Sequence, residues 1–62
     1  MLVRFYDYEG KFLEQAVLDK PLEKGEPMVL ADGRYVVVDI PPCQVDWKNN
    51  VLFQPILLKH QK

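Results

Sequence analysis

The sequence contains no serine and no threonine. Both hydroxyl nucleophiles are therefore missing, and so are the side chains most used to carry a phosphoryl group. Only tyrosine hydroxyls remain. There is one cysteine, Cys43, and one histidine, His60. A single cysteine excludes an internal disulfide framework and fits a reducing compartment. One thiol and one imidazole are too few for a transition-metal site within the chain, so no metal ligands are assigned. Cys43 and His60 are also the only thiol–imidazole pair available. Cys43 follows two prolines, and His60 stands two residues from the end of the sequence. A general base must be held in place. The residues therefore read as a small apolar side chain at Cys43 and a solvated, frayed tail at His60-Gln61-Lys62. No catalytic residue is assigned, and an enzyme is not expected.

Long apolar runs are missing too. None approaches the roughly 18 residues of a membrane helix. No apolar stretch of signal-peptide length follows Arg4, Asp7 and Glu9. The expectation is a cytoplasmic protein with no membrane partner. Charge of one sign is equally scarce. Nine acids face eight bases, for a formal net charge of -1. The signs are interleaved, with no block that reads as a tail. The basic footprint of a dedicated nucleic-acid binder is absent, which argues against nucleic acid as partner. Gly10, Gly25 and Gly33 stand too far apart for a phosphate-cradling loop. The acids do not alternate as in a calcium loop. No cofactor is implied.

What is present is a normal globular share of apolar residues, 48%. That is too many for a disordered chain. Residues 1–62 make one small domain, whose thin core invites support from a partner. Gly10, Gly25, Gly33, Pro21, Pro27, Pro41, Pro42 and Pro55 cut the chain into short pieces. No helix-length window keeps a clean 3.6-residue period. Residues 11–20 are the best helical stretch, with Phe12, Leu13, Ala16 and Val17, but Glu9-Gly10 reads as a hairpin turn and favours a strand. The first hairpin pairs roughly Leu2–Tyr8 with Lys11–Asp19 in a register the pattern leaves open. Val3 and Phe5 take one face, Tyr6 and Tyr8 the other. Lys20–Pro27 reads as a loop, with a strand starting at or just after Pro27.

The clearest signal is Asp32-Gly33, flanked by Met28–Ala31 and Arg34–Ile40. Asp-Gly suits a type I′ turn, which would set Leu30 opposite Tyr35 and Val29 opposite Val36. β-branched residues on both faces of Tyr35–Val38 predict a central strand. Gln44–Trp47 and Val51–Lys59 form a third hairpin about Asn49-Asn50. Pro55 predicts an edge position or a bulge in the last strand. The fold class is all-β. The pattern predicts a small curled sheet or SH3-like barrel of roughly five to six short antiparallel strands.

The aromatics carry the functional expectation. Phe5, Phe12 and Phe53 read as core. Tyr6, Tyr8, Tyr35 and Trp47 have polar handles and suit a partly exposed surface. With Arg4 and Arg34 they make a candidate patch, since Tyr, Trp and Arg dominate binding hot spots. The same residues read alternatively as core rim. The expected partner is another protein, or a second copy through self-association. The alternative is a nucleic-acid-binding barrel, with Arg4, Arg34, Lys11 and Lys48 flanking Tyr6, Tyr8 and Trp47.

Residues 25–39, a glycine–acid step into a strand, a tight turn and then Tyr35-Val36-Val37-Val38-Asp39, resemble part of SH3-like barrel modules. The opening Val3-Arg4-Phe5-Tyr6-Asp7-Tyr8-Glu9-Gly10 resembles the first hairpin of small bacterial or phage-encoded proteins of that kind with no assigned activity. The resemblance implies a small barrel. It departs from peptide-binding SH3 domains, whose paired aromatic motif and acidic loop are not found. No binding residue carries over from them.

Overall fold

The computed structural model describes residues 1–61. Those residues form β1 (Leu2–Asp7), β2 (Phe12–Val17), β3 (Pro27–Leu30), β4 (Gly33–Asp39), β5 (Gln44–Asp46) and β6 (Val51–His60), with no helix among them. The fold is all-β. The sheet runs β2-β1-β6-β4-β3, and β5 pairs with the start of β6. It is strongly curled into a half-barrel, with β2 and β3 as its outer strands. The segment 12–17 is a strand, as Glu9-Gly10 predicts. Asp7 closes that hairpin by accepting from the Glu9 and Lys11 amides, both at 2.9 Å, while Gly10 supplies a φ of 92°.

One pairing is parallel. β1 lies beside β6 with Val3 opposite Gln54, Phe5 opposite Ile56 and Asp7 opposite Leu58. The remaining pairs are antiparallel. Hairpin turns dictate direction only between neighbours in sequence. β1 and β6 are the first and last strands, and no turn constrains them. β6 is also not short, at ten residues against a usual five to six.

Directly paired residues share a face and successive ones alternate. That alternation builds the core from Val3 and Phe5 of β1, Leu30 of β3, Tyr35 and Val37 of β4, and Ile56 and Leu58 of β6. Leu13, Ala16, Leu18, Leu22, Met28 and Ile40 pack around them. The loop between β2 and β3 thus lays Leu18 and Leu22 over the sheet. Gly25 and Glu26 fix its end by exchanging backbone bonds with Val37, at 2.7 and 2.9 Å.

Two expected core or edge positions differ, Phe12 and Pro55, while Phe53 is buried as expected. Phe12 is 51% exposed, because it pairs with Tyr6 on the face turned from the core. Phe53 is buried but lies outside the core cluster, beneath the Arg4 guanidinium. Pro55 is buried in the central strand rather than on an edge. It stands where β6 lacks a strand partner on one side, between Asp39 opposite Leu57 and Gln44 opposite Phe53. A missing N–H costs the ladder least there. The Gln54 side chain fills this break, donating to the carbonyls of Pro41 and Pro55.

The β3–β4 turn is one residue earlier than Asp32-Gly33. Leu30 is opposite Gly33, Val29 opposite Arg34 and Met28 opposite Tyr35. Ala31 and Asp32 form the turn with ordinary negative φ, so it is not type I′. Both registers keep Leu30 on the core face, so hydrophobic alternation does not separate them. The Tyr35 hydroxyl selects the observed one by donating to Asp32 at 2.8 Å. Gly33 instead joins β4, at a φ of 143°.

His60 is likewise no frayed residue. It pairs with Tyr35, and its ring meets the Tyr35 ring edge-on at 5.0 Å. Gln61 follows in place, its amide donating to the Arg34 carbonyl at 2.8 Å. Lys62 lies outside the described residues. A Cβ at Gly33 would stand 2.8 Å from the His60 Nε2. Gly33→Ala should therefore destabilise the protein by about 1–3 kcal/mol in urea unfolding. Adding His60→Ala should recover part of that loss, since the backbone strain remains. A Gly33→Ala protein as stable as wild type would contradict this packing.

Candidate functional site

The first three residues of β6 outrun the main sheet and pair only with β5. The two faces of the resulting hairpin are different. On one, Phe53 is opposite Gln44 and Asp46 is opposite Val51. Arg4 of β1 reaches this face. Its guanidinium lies 4.4 Å from the Phe53 ring centre and 2.9 Å from Asp46 Oδ2. Its Nε donates to Gln15 Oε1 at 2.9 Å. Asp46 also orders the turn, accepting from the Asn49 side-chain amide at 2.8 Å and from the Lys48 and Asn49 backbone amides. Asn50 completes it at a φ of 54°. An Asn-rich turn is thus where the sequence places it.

The opposite face of the hairpin carries Val45 and Leu52, a direct cross-strand pair. They are 40% and 63% exposed, and Trp47 in the adjoining turn is 83% exposed. Nothing in the described residues covers them. Along β6, Leu52 alternates with Gln54 and Ile56, which line a cavity of about 50 Å³ together with Met1, Leu18, Leu22 and Ile40. Val3, Lys20 and Pro21 complete its lining. On this face of β6 the exposed Leu52 of the hairpin is thus followed by Gln54 and Ile56, which line an apolar hollow at the edge of the core. Clustered exposed apolar side chains mark an interaction site more often than scattered single residues do.

The six residues expected to form a patch do not form one. Tyr35 is buried at 5%, since it fills the core with its hydroxyl satisfied by Asp32. That hydrogen bond, followed by burial, raises its pKa above 10.0. Arg4 is committed to Asp46 and Phe53. Tyr6 is half-buried against Phe12, with ring centres 5.8 Å apart. Tyr8 is exposed in the β1–β2 turn. Arg34 is exposed on β4, one position beyond the level of His60. Trp47 lies past the other end of β6, roughly 30 Å away at a strand rise of 3.3 Å per residue. Of the six, Trp47 lies in the turn of this hairpin and Arg4 braces the hairpin's other face.

Val45, Leu52 and the cavity residues were not expected at the site. The one available signal was the Val45, Trp47, Leu52 cluster about Asn49-Asn50, which reads as an ordinary alternating hairpin without the rest of the sheet.

Cys43 is exposed rather than buried, its thiol donating to Gln54 Oε1 at 3.1 Å. The consecutive prolines keep it in the irregular segment between β4 and β5. It and His60 sit toward opposite ends of β6. Gln54 and His60 are six residues apart on one strand, about 20 Å. No helix is long and apolar enough to cross a membrane. No group of acids, cysteines and histidine among the described residues is arranged to hold a metal ion. Comparison with protein-family models, curated proteins and solved structures finds no match for the chain.

The Asp46 contacts hold its carboxyl down from 3.8 to about 2, chiefly through the Asn49 side-chain amide and then through Arg4. A depressed carboxyl stabilises the fold in its ionised form. That contribution is complete above about pH 4 and disappears as the pH falls through about 2. Carboxyl-carbon NMR titration should place the Asp46 midpoint near 2, and Asn49→Ala or Arg4→Ala should each move it toward 3.8. An unmoved midpoint in both variants would contradict the bracing described.

Proposed function

We propose that this chain is a non-catalytic protein-interaction module that docks a partner on the apolar strip of the β5–β6 hairpin. The observation that carries the reading is the exposure of Trp47, Val45 and Leu52 on one hairpin, with Leu52 two residues along β6 from Gln54, which lines the cavity. A tryptophan beside aliphatic side chains and a ready hollow is the composition of an interface hot spot. The Arg4 contacts support it, because an anchored hairpin loses little freedom on binding and so keeps more of the contact energy.

The strip holds aliphatic side chains and one tryptophan rather than a row of stacking rings. The balanced net charge adds no phosphate-tracking surface. A protein partner suits both facts better than a nucleic acid does.

Cys43 supplies the handle for a test, since it is the sole cysteine and lies beside Gln54 on this face. A photocrosslinker attached there in the native host should give a discrete protein adduct. Trp47→Ala or Leu52→Lys should reduce that adduct about tenfold or more, the loss typical of a hot-spot residue. Val29→Lys, on the distant outer strand β3, should leave it unchanged. An adduct insensitive to Trp47 and Leu52 would contradict the reading.

A further inference from the structure

The segment between β2 and β3 is tied to the sheet by its backbone at two places, one at each end. At the first, Leu18 and Met1 exchange backbone hydrogen bonds, both at 2.9 Å. At the second, the Gly25 amide donates to the Val37 carbonyl at 2.7 Å and the Val37 amide donates to the Glu26 carbonyl at 2.9 Å. Among the described residues, no backbone group of residues 19–24 is hydrogen-bonded to the sheet. The Glu23 carbonyl accepts from the Glu26 amide at 3.2 Å, a bond within the loop itself.

Side chains hold this stretch down, and they hold it weakly. Leu22 packs half-buried against the core. Lys24 reaches Asp39 at 3.5 Å, but both side chains are more than half exposed, and such an ion pair contributes little. The packing beneath is incomplete. Pro21 and Leu22 line the cavity of about 50 Å³ together with Val3, Ile40 and Ile56. Atoms that border a hollow lack part of their dispersion contacts. A stretch with few buried contacts and no backbone bonds to its surroundings opens at lower free energy than the whole domain.

We propose that residues 19–24 are a strap that lifts from the sheet as a unit while the clasps at Met1–Leu18 and at Val37 stay closed. Lifting takes Pro21 and Leu22 away from Val3 and Ile56, each 1% exposed with the strap down. It breaks no strand pairing, because the strap takes no part in the ladders. Val3 is opposite Gln54, and Gln54 and Ile56 share a face of β6 with Leu52. The strap thus sets how much of that face the protein presents. The device stands whether or not a partner docks on the hairpin.

Thiol labelling tests the strap. Val3→Cys and Val37→Cys are compared, each in a Cys43→Ala background. Both valines are 1% exposed in the core, but Val3 lines the cavity and Val37 does not. Each labelling rate is referred to that variant's own unfolding free energy in urea. On that scale the Val3→Cys thiol should react about a hundredfold faster or more, through local opening. Its rate should hardly respond to low urea, since little surface opens, whereas the Val37→Cys rate should follow the urea slope of the whole domain. Amide exchange of the Val3→Cys protein should still show β1 protected to the level of global unfolding. Equal rates with equal urea slopes would overturn the proposal. So would loss of β1 amide protection, which would assign the exposure of Val3 to fraying of the strand.

Discussion

The structure depends on the pairing of one strand, β6. Its central residues lie parallel to β1, its last residues antiparallel to β4, and its first residues antiparallel to β5. Remove it and β1–β2 and β3–β4 become separate two-stranded ribbons, which are marginal in water. Both of its faces are also used. Ile56 and Leu58 enter the core, while Phe53 and Pro55 are buried on the other side. A strand apolar on both faces is ordinarily covered by other layers. Here curling of a single sheet, with the Arg4 guanidinium laid over Phe53, does that work in a chain too short for a second layer.

The candidate site follows from the same strand. β6 is longer than the core it crosses, so its first residues project with β5 as a hairpin. One face of that hairpin is tied to β1 through Arg4, Asp46 and Phe53. The other face then has nothing left in the described chain to cover it. An exposed Val45, Trp47 and Leu52 would be costly if it served no contact, because a loose apolar hairpin invites aggregation. The bracing from behind keeps it rigid.

Much of the fold was legible in the residues. Glycine, proline and alternation mark the strands, and Asn49-Asn50 marks the hairpin that carries the site. What escaped was long-range. Hydrophobic alternation specifies which face a residue takes, but a two-position change in pairing sum preserves the face. Hence the β3–β4 turn falls at Ala31-Asp32 rather than at Asp32-Gly33. Nothing local indicates that the first and last strands meet in parallel. That one contact places Arg4 behind the hairpin, while the antiparallel β4–β6 pairing brings Tyr35 and His60 into a packed pair. The aromatic patch expected of Arg4, Tyr6, Tyr8, Arg34, Tyr35 and Trp47 is dispersed for the same reason. Residue type gives polarity, while the partners of β6 decide which side chains are consumed in folding and which are left over.

Amide hydrogen exchange tests this account most directly, because it reads the opening free energy of each strand separately. If β6 organises the core and projects as a braced but uncovered hairpin, residues 54–58 and their β1 partners should exchange only through global unfolding. Residues 44–46 and 51–53 should open at lower free energy, and Arg4→Ala should lower theirs further while leaving 54–58 last to exchange. Uniform protection along β6, or slower exchange in β3–β4 than in β1–β6, would contradict it.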